Sequence, residues 1–288
     1  MASRFVDAGG LRWHVQVMGK GPVILLLHGT GAATHSWRGL MPLLAKHFTV
    51  VAPDLPGHGF TSTPRDAEMS LPHMAKGITA LLAALDFKPA VIAGNSAGAA
   101  IAVRIQIDCK YTGPLIAING ALMAFTGIAG QVFPKLAKLL FVNPLIPRMF
   151  ALQGQSHMMV KSFIENSTGS KIDDHGVGFY KRLLACSGHC AAPLAMMAHW
   201  DLERLKQDYP CLTSPLLLLH GENDRAIPPA DGVKIKALIP HAIVQNLSGL
   251  GHIAHEEDPI RIAAIIVKYD RSCRAQSRST ACGTNGLL

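Results

Sequence analysis

"VIAGNSAGAA", residues 91–100, is the stretch whose reading decides the fold. An apolar, β-rich run ends on a serine with a glycine two positions away on each side, and small helix-forming residues follow. Gly94-Asn95-Ser96-Ala97-Gly98 fits G-x-S-x-G, the nucleophile elbow, in which a serine sits on a sharp strand-to-helix turn and small neighbours let the chain fold back. In a chain with 27 glycines the pentapeptide arises by chance about one time in eight. The strand run before it and the helical run after it therefore carry the assignment.

Working outward, short apolar runs recur: "PVILLLHG" (22–29), "FTVVAPDL" (48–55), "PAVIAGNS" (89–96), "GPLIAING" (113–120) and "PLLLLHGE" (215–222). Runs without alternation read as strands buried on both faces. Helical patterns lie between them, so the expected fold is α/β: a mostly parallel, doubly wound sheet with its reactive groups at the C-terminal strand ends. The first 19 residues, with "DAGG" as a turn, read as an antiparallel hairpin on one edge. Residues 121–212 hold no buried-strand run and read as apolar helices, including "VFPKLAKLLFVNPLIPRMF" (132–150) and "HCAAPLAMMAHWDLERL" (189–205). They form a helical cap inserted after the sixth strand, with residues 1–120 and 213–270 as core. A helix near 230–238, the strand "AIVQNLSG" (242–249) and a last helix near 257–268 complete the core, and the acid-free stretch 271–288 reads as a disordered tail.

A serine hydroxyl is a weak nucleophile at neutral pH and needs a base to take its proton and a carboxylate to orient that base. "LLLLHGENDRAIPP" places Asp224 just past a strand end, and "LSGLGHIAHEEDP" places His252 on a Gly-rich loop before the last helix. Ser96, Asp224, His252 is the chain order of an α/β-hydrolase triad. His255 and Glu222 are the nearest substitutes, while Glu256 and Glu257 suit the start of the last helix, where acids complement its dipole. For the oxyanion, the N–H of Ala97 is the first donor and that of Thr30, in "HGTG" (28–31), the second. His28 reads as structural, and Asp54 and His58 in "DLPGHGFT" as loop-shaping.

The chain has 288 residues, 49% of them hydrophobic and 16% charged, with a formal net charge of +8. No uncharged apolar stretch reaches the roughly 20 residues of a membrane-spanning helix, and the N-terminus lacks the apolar core of a secretory signal. Cytoplasmic residence is the expectation, with attachment to a membrane surface left open. Lysines and arginines are scattered without interleaved aromatics, which argues against nucleic acid. The six cysteines show no paired spacing, and "CSGHC" (186–190) lacks the second cluster of a zinc site. Neither metal nor cofactor is required.

With the elbow, "HGTG", "DLPGHGFT", "GENDRAIPP" and "GLGHIAHEE" in this order, the chain to about residue 268 resembles the α/β-hydrolase superfamily. More narrowly, "HGTGAATHSWRGLMPLLA", "SAGAAIAVRI", "AKLLFVNPLIPRMF" and "LAMMAHWDLERL" resemble the magnesium-chelatase accessory proteins of bacteriochlorophyll biosynthesis. That resemblance implies a place in the photosynthetic pigment pathway, an apolar substrate such as a tetrapyrrole, contact with other proteins of the pathway and a location peripheral to the photosynthetic membrane. The family pattern has histidine before the nucleophile where this chain has Asn95. No G-x-x-x-x-G-K-[ST] phosphate loop is present, so the chain is not the ATP-driven motor of metal insertion.

The expected function is a serine hydrolase of an ester or acyl bond. One alternative is hydrolysis of a carbon–carbon bond in a dienone acid, for which Arg104 or Arg148 would meet the carboxylate. The other is a non-catalytic pigment-binding or assembly factor. Ser96 at the elbow disfavours the enzymes that use aspartate as nucleophile.

Overall fold

The computed structural model describes residues 2–64, 68–124, 145–153 and 155–283. Eight strands form one sheet in the order β1-β2-β4-β3-β5-β6-β7-β8. β1 (Ala2–Ala8) and β2 (Leu11–Met18) are the expected hairpin. Its turn, Gly9-Gly10, has φ of 57° and 79°, a left-handed pair that glycine adopts without strain. β2 pairs antiparallel with β4 (Thr49–Pro53), and all the remaining pairings are parallel, through β3 (Val23–Leu27), β5 (Pro89–Asn95), β6 (Leu115–Ile118), β7 (Leu216–Gly221) and β8 (Ile243–Leu247).

The unbroken apolar runs follow from burial on both sheet faces. Leu25 and Leu27 of β3 enter one core cluster, and Ile24 and Leu26 enter the other. β7 splits in the same way, Leu216 and Leu218 from Leu217 and Leu219. Each such side chain contributes roughly 1.5–3 kcal/mol. Helices α1 (Met41–Leu44), α2 (Leu71–Ala84) and α3 (Ala97–Cys109) connect the first strands. From β3 the chain steps to β4 on one side, then returns through α2 to β5 on the other, so the strand order reverses at β3. Open α/β sheets place their binding crevice at such a reversal, beyond the strand ends. Here the ends are Leu27, which leads into His28, and Asn95, which leads into Ser96.

Between β6 and β7 the described residues form α4 (Leu145–Gln153), α5 (His157–Thr168), α6 (Asp174–Leu184), α7 (Ser187–His199) and α8 (Leu202–Gln207), the segment read from sequence as the cap and called so below. Most of the apolar stretch 132–150 falls outside the described residues. After β7 come α9 (Ala230–Leu238), a short α10 (Ala254–Glu257) and α11 (Pro259–Gly283). Two expectations change here. α11 continues to Gly283, well into the stretch read as a disordered tail. Cys273 is 7% exposed within the core, and Asp270 pairs with Arg274 one turn on; a composition-based reading does not see that anchorage. In addition, Glu256 and Glu257 belong to α10 rather than to the start of the last helix.

Candidate active site

Ser96 is half-buried and has φ 50° and ψ −116°, outside the ordinary regions for a residue with a Cβ. Such strain persists only where the surroundings enforce it. Its N–H donates to the Ile118 carbonyl at 3.1 Å, and its carbonyl accepts from Ala99 and Ala121. A methyl group at Gly98 would overlap the Leu27 carbonyl, and one at Gly94 would overlap Gly98. Both glycines are therefore demanded by close backbone approach.

Asp224 and His252 meet as the sequence order requires. His252 Nδ1 donates to Asp224 Oδ2 at 2.8 Å. The other carboxylate oxygen accepts from the N–H groups of Ala226 and Ile227 at 2.8 and 2.9 Å. With its proton on Nδ1, the imidazole keeps Nε2 as an acceptor. His252 and Ser96 both line one cavity of about 480 Å³. Thr30 is exposed on the same wall, and Ala97 opens α3, where a helical N–H has no acceptor within the helix.

Asn95, the departure from the resembled pattern, lies under the elbow. Its Nδ2 donates to the Ile118 and His252 carbonyls, both at 3.0 Å. Asn119, at the end of the neighbouring strand and also in a left-handed conformation (φ 49°), was not singled out from sequence. Its Nδ2 donates to the carbonyls of Gly251 and His252 at 2.9 and 2.8 Å, and its Oδ1 accepts from Gly221 N–H at 2.7 Å. One buried amide thus joins the loop of His252 to the strand that leads to Asp224. An asparagine closing an apolar strand was the only local signal, since its short amide tolerates the left-handed region.

The cap reaches these loops through Thr168-Gly169-Ser170. The Thr168 carbonyl accepts from the N–H groups of His252 (2.9 Å) and Arg225 (3.4 Å), and Ser170 Oγ accepts from Ile253 N–H at 3.0 Å. Gly169 (φ 69°) ends α5, a helix stop that sequence can show without showing what it docks against. Glu257 accepts from Ser170 Oγ, Lys171 N–H and Gly251 N–H, while Glu256 accepts from Ser36, Tyr180 and Arg38. Burial pushes the Glu256 carboxyl upward against the opposing pull of Tyr180 and Arg38. Both acids fasten cap to core.

The remaining candidates have other roles. His255 is fully buried, bonds to Ser36 Oγ through Nε2 at 2.6 Å and packs on Trp37, and the Glu222 side chain is exposed. His28 Nδ1 donates to the Gly29 carbonyl while Nε2 accepts from Leu55 N–H, and burial lowers its pKa to about 4. Asp54 binds His14 and the N–H groups of Thr34 and Phe60. Burial raises its pKa, but these bonds and the charge of His28 bring it down to about 2. His58 Nδ1 bonds to the Pro56 carbonyl at 3.0 Å within the same loop. Within "CSGHC", His189 bridges Gly31 and Gly59 of the core, Cys190 Sγ meets the Leu184 carbonyl and Cys186 is exposed. Arg104 is paired with Asp108 and Asp208, Arg148 is exposed, and neither lines the cavity.

Comparison with known proteins bears on the fold and family. The profile of the alpha/beta hydrolase family matches residues 24–265. The chain is 36% identical over 263 residues to the magnesium-chelatase 30 kDa subunit of Rhodobacter capsulatus, covering 91% of this chain and 92% of that protein. It is 29% identical over 269 residues to the 2-hydroxy-6-oxo-6-(2'-aminophenyl)hexa-2,4-dienoic acid hydrolase of Metapseudomonas resinovorans, covering 89% and 86%. An alpha/beta hydrolase fold protein from Burkholderia ambifaria superposes with a TM-score of 0.75 at 22% identity, over 93% of this chain and all of the other (100%). The profile match and the first of these relatives, which both span most of the chain, place it in one family: this protein belongs to the alpha/beta hydrolase family.

Proposed function

We propose that the protein is a serine hydrolase of neutral ester or related acyl bonds. The observation that carries the reading is a strained Ser96 sharing one cavity with a His252 whose Nδ1 is already committed to Asp224. Ser96 Oγ attacks the acyl carbon as its proton passes to His252 Nε2. The oxyanion forms against the N–H groups of Ala97 and Thr30, each such donor worth about 3 kcal/mol. His252 then gives the proton to the leaving alkoxide, and water repeats the sequence on the acyl-enzyme.

The cavity supports a neutral substrate. Among the described residues its walls are Phe163, Ile164, Leu184, Pro193, Leu194 and Met197 with a few hydroxyls, and no lysine or arginine lines it. A dienone acid needs a cation for its carboxylate, which lowers the carbon–carbon hydrolase reading. The relative called a magnesium-chelatase subunit favours placing the reaction in the magnesium-porphyrin pathway, with an ester arm of an apolar tetrapyrrole entering the cavity.

A fluorophosphonate probe tests the reading. Wild-type protein should be labelled at Ser96 and Ser96→Ala should not. Against a panel of neutral esters and dienone acids, turnover should follow the esters. Folded wild type that neither takes up the probe nor cleaves any ester would leave the binding or assembly role.

A further inference from the structure

A second cavity, of about 530 Å³, opens between the end of α1 and the middle of α11. Its apolar lining is Leu43, Ala263, Ala264 and Val267, from the buried Ala263 to the exposed Ala264, and its polar rim is Lys46, His47, Lys268 and Arg271. Lys46 and His47 lie three and two residues before Thr49, where β4 begins, so this groove lies toward the N-terminal ends of the parallel strands, whereas Ser96 stands beyond their C-terminal ends. Arg271 is about 18 Å along α11 from Pro259, at a rise of 1.5 Å per residue.

The rim charges are uncompensated. Lys46, Lys268 and Arg271 are exposed, and none takes part in an ion pair among the described residues. No acid lines the groove, and Asp270, the acid nearest in sequence on α11, is buried and bonded to Arg274. Lys20 adds to this end, because the turn that carries it packs against the His47 and Phe48 carbonyls through Gly19 and Gly21.

Three exposed, unpaired cations beside an aliphatic lining match the two halves of an anionic amphiphile, a phosphate at the rim and the first acyl carbons below. Nucleic acid fits less well, since the apolar lining has no aromatic platform and no side-chain amide to read a base. We infer that this groove seats an anionic phospholipid and docks the N-terminal end of the sheet on an anionic membrane surface, leaving the catalytic cavity turned away from the bilayer. The inference is independent of the reaction proposed for Ser96.

The test uses the full chain and sedimentation with two sets of vesicles, phosphatidylcholine alone and phosphatidylcholine with an equal part of phosphatidylglycerol. Binding should require the anionic lipid. The combined variant Lys46→Gln, Lys268→Gln, Arg271→Gln should bind about a hundred-fold more weakly, from roughly 1 kcal/mol for each cation near such a surface. A variant of equal charge loss elsewhere, Lys76→Gln, Lys171→Gln, Lys181→Gln, should keep most of its binding, and circular dichroism melts establish that both fold. Ala264→Glu, which alters the apolar lining, should weaken binding as well. Equal binding to both vesicles, no binding to either, or equal losses in the two triple variants would overturn the inference. Displacement from vesicles by millimolar inorganic phosphate at constant ionic strength would identify a free-anion site instead and overturn it too.

Discussion

Core and cap both contribute to one cavity, but they are held there by different chemistry. On the core side, Ser96, Asp224 and His252 hang from strand ends whose backbone is fixed by neighbouring strands and by two buried amides, Asn95 and Asn119. On the cap side, the backbone bonds of Thr168 and Ser170 are joined by ionisable side chains: Glu256 to Arg38 and Tyr180, Glu257 to Ser170, and His189 to Gly31 and Gly59. The amides that hold the strand ends do not titrate, whereas a group of buried histidines lies where the core loops meet the cap, His35 against Phe179 and Tyr180 and His58 against His189, and that junction is where pH acts.

That difference yields the largest expected effect. Burial lowers the pKa of His28 to about 4 and of His35 to about 3 from an ordinary 6.5, and lowers His58, His189 and His255 as well. An imidazole held neutral in the fold takes up its proton more readily in the unfolded chain. Its stabilising contribution is thus complete above about 6.5 and is lost as pH falls through the window toward its folded value, by about 1.4 kcal/mol per pH unit for each group. Urea midpoints should be level from pH 7 to 8 and drop steeply between 6.5 and 4.5, with proteolysis of the cap preceding loss of core structure. Midpoints that stay level to pH 5 would break the comparison.

The next effect separates the two amides. Asn119→Ala leaves the Gly221 N–H and the Gly251 carbonyl without the partners it supplied, at roughly 1–3 kcal/mol for each buried group. A loss of about 3 kcal/mol in unfolding free energy is expected, together with lower esterase kcat, because the loops of His252 and Asp224 lose their common tie. An activity change with no loss of stability would mean that Asn119 does not hold these loops.

These two amides also show what was legible in the sequence. Ser96 and Asp224 stand out in the sequence because each follows a strand run recognisable from burial on both faces, whereas His252 follows the mostly exposed β8 and is marked by its Gly-rich loop and by a chain order that chemistry constrains. Asn119 and Thr168–Ser170 carry no such local mark, since their partners lie 57 to 133 positions away. Glu256 and Glu257 were misread for the same reason. Beside a helix start, local physics favours a dipole role, and partners as distant as Ser36, 220 positions away, were invisible. In the tail, a shortage of acids outweighed the spacing of Asp270 and Arg274, although that spacing is what one helical turn requires.

On the cap side, Glu256→Gln removes the charge facing Arg38 and replaces an acceptor with an amide donor, either toward Arg38 or toward the hydroxyls of Ser36 and Tyr180. Arg38 keeps Asp173 at 2.7 Å, and its side chain is 21% exposed, so solvent limits the penalty. About 2 kcal/mol is expected, below the range for breaking a fully buried pair. Because Tyr180 lines the cavity, KM for bulky esters should rise more than kcat falls. A fall in kcat alone would place Glu256 with the core groups instead.

The smallest effect falls on the residue that departs from the resembled pattern. Removing Asn95 takes two donated bonds, yet neither acceptor is stranded. The His252 carbonyl still accepts from Asn119 Nδ2 at 2.8 Å, and the Ile118 carbonyl still accepts from the Ser96 N–H at 3.1 Å. Asn95→Ala should therefore cost about 1 kcal/mol, near the net value of an ordinary hydrogen bond, and change kcat several-fold at most. Combined with Asn119→Ala the loss should exceed the sum of the two, because only the double variant leaves the His252 carbonyl without either amide. Strict additivity would show that the two asparagines do not share that carbonyl, and the backbone of the His252 loop would then need another support.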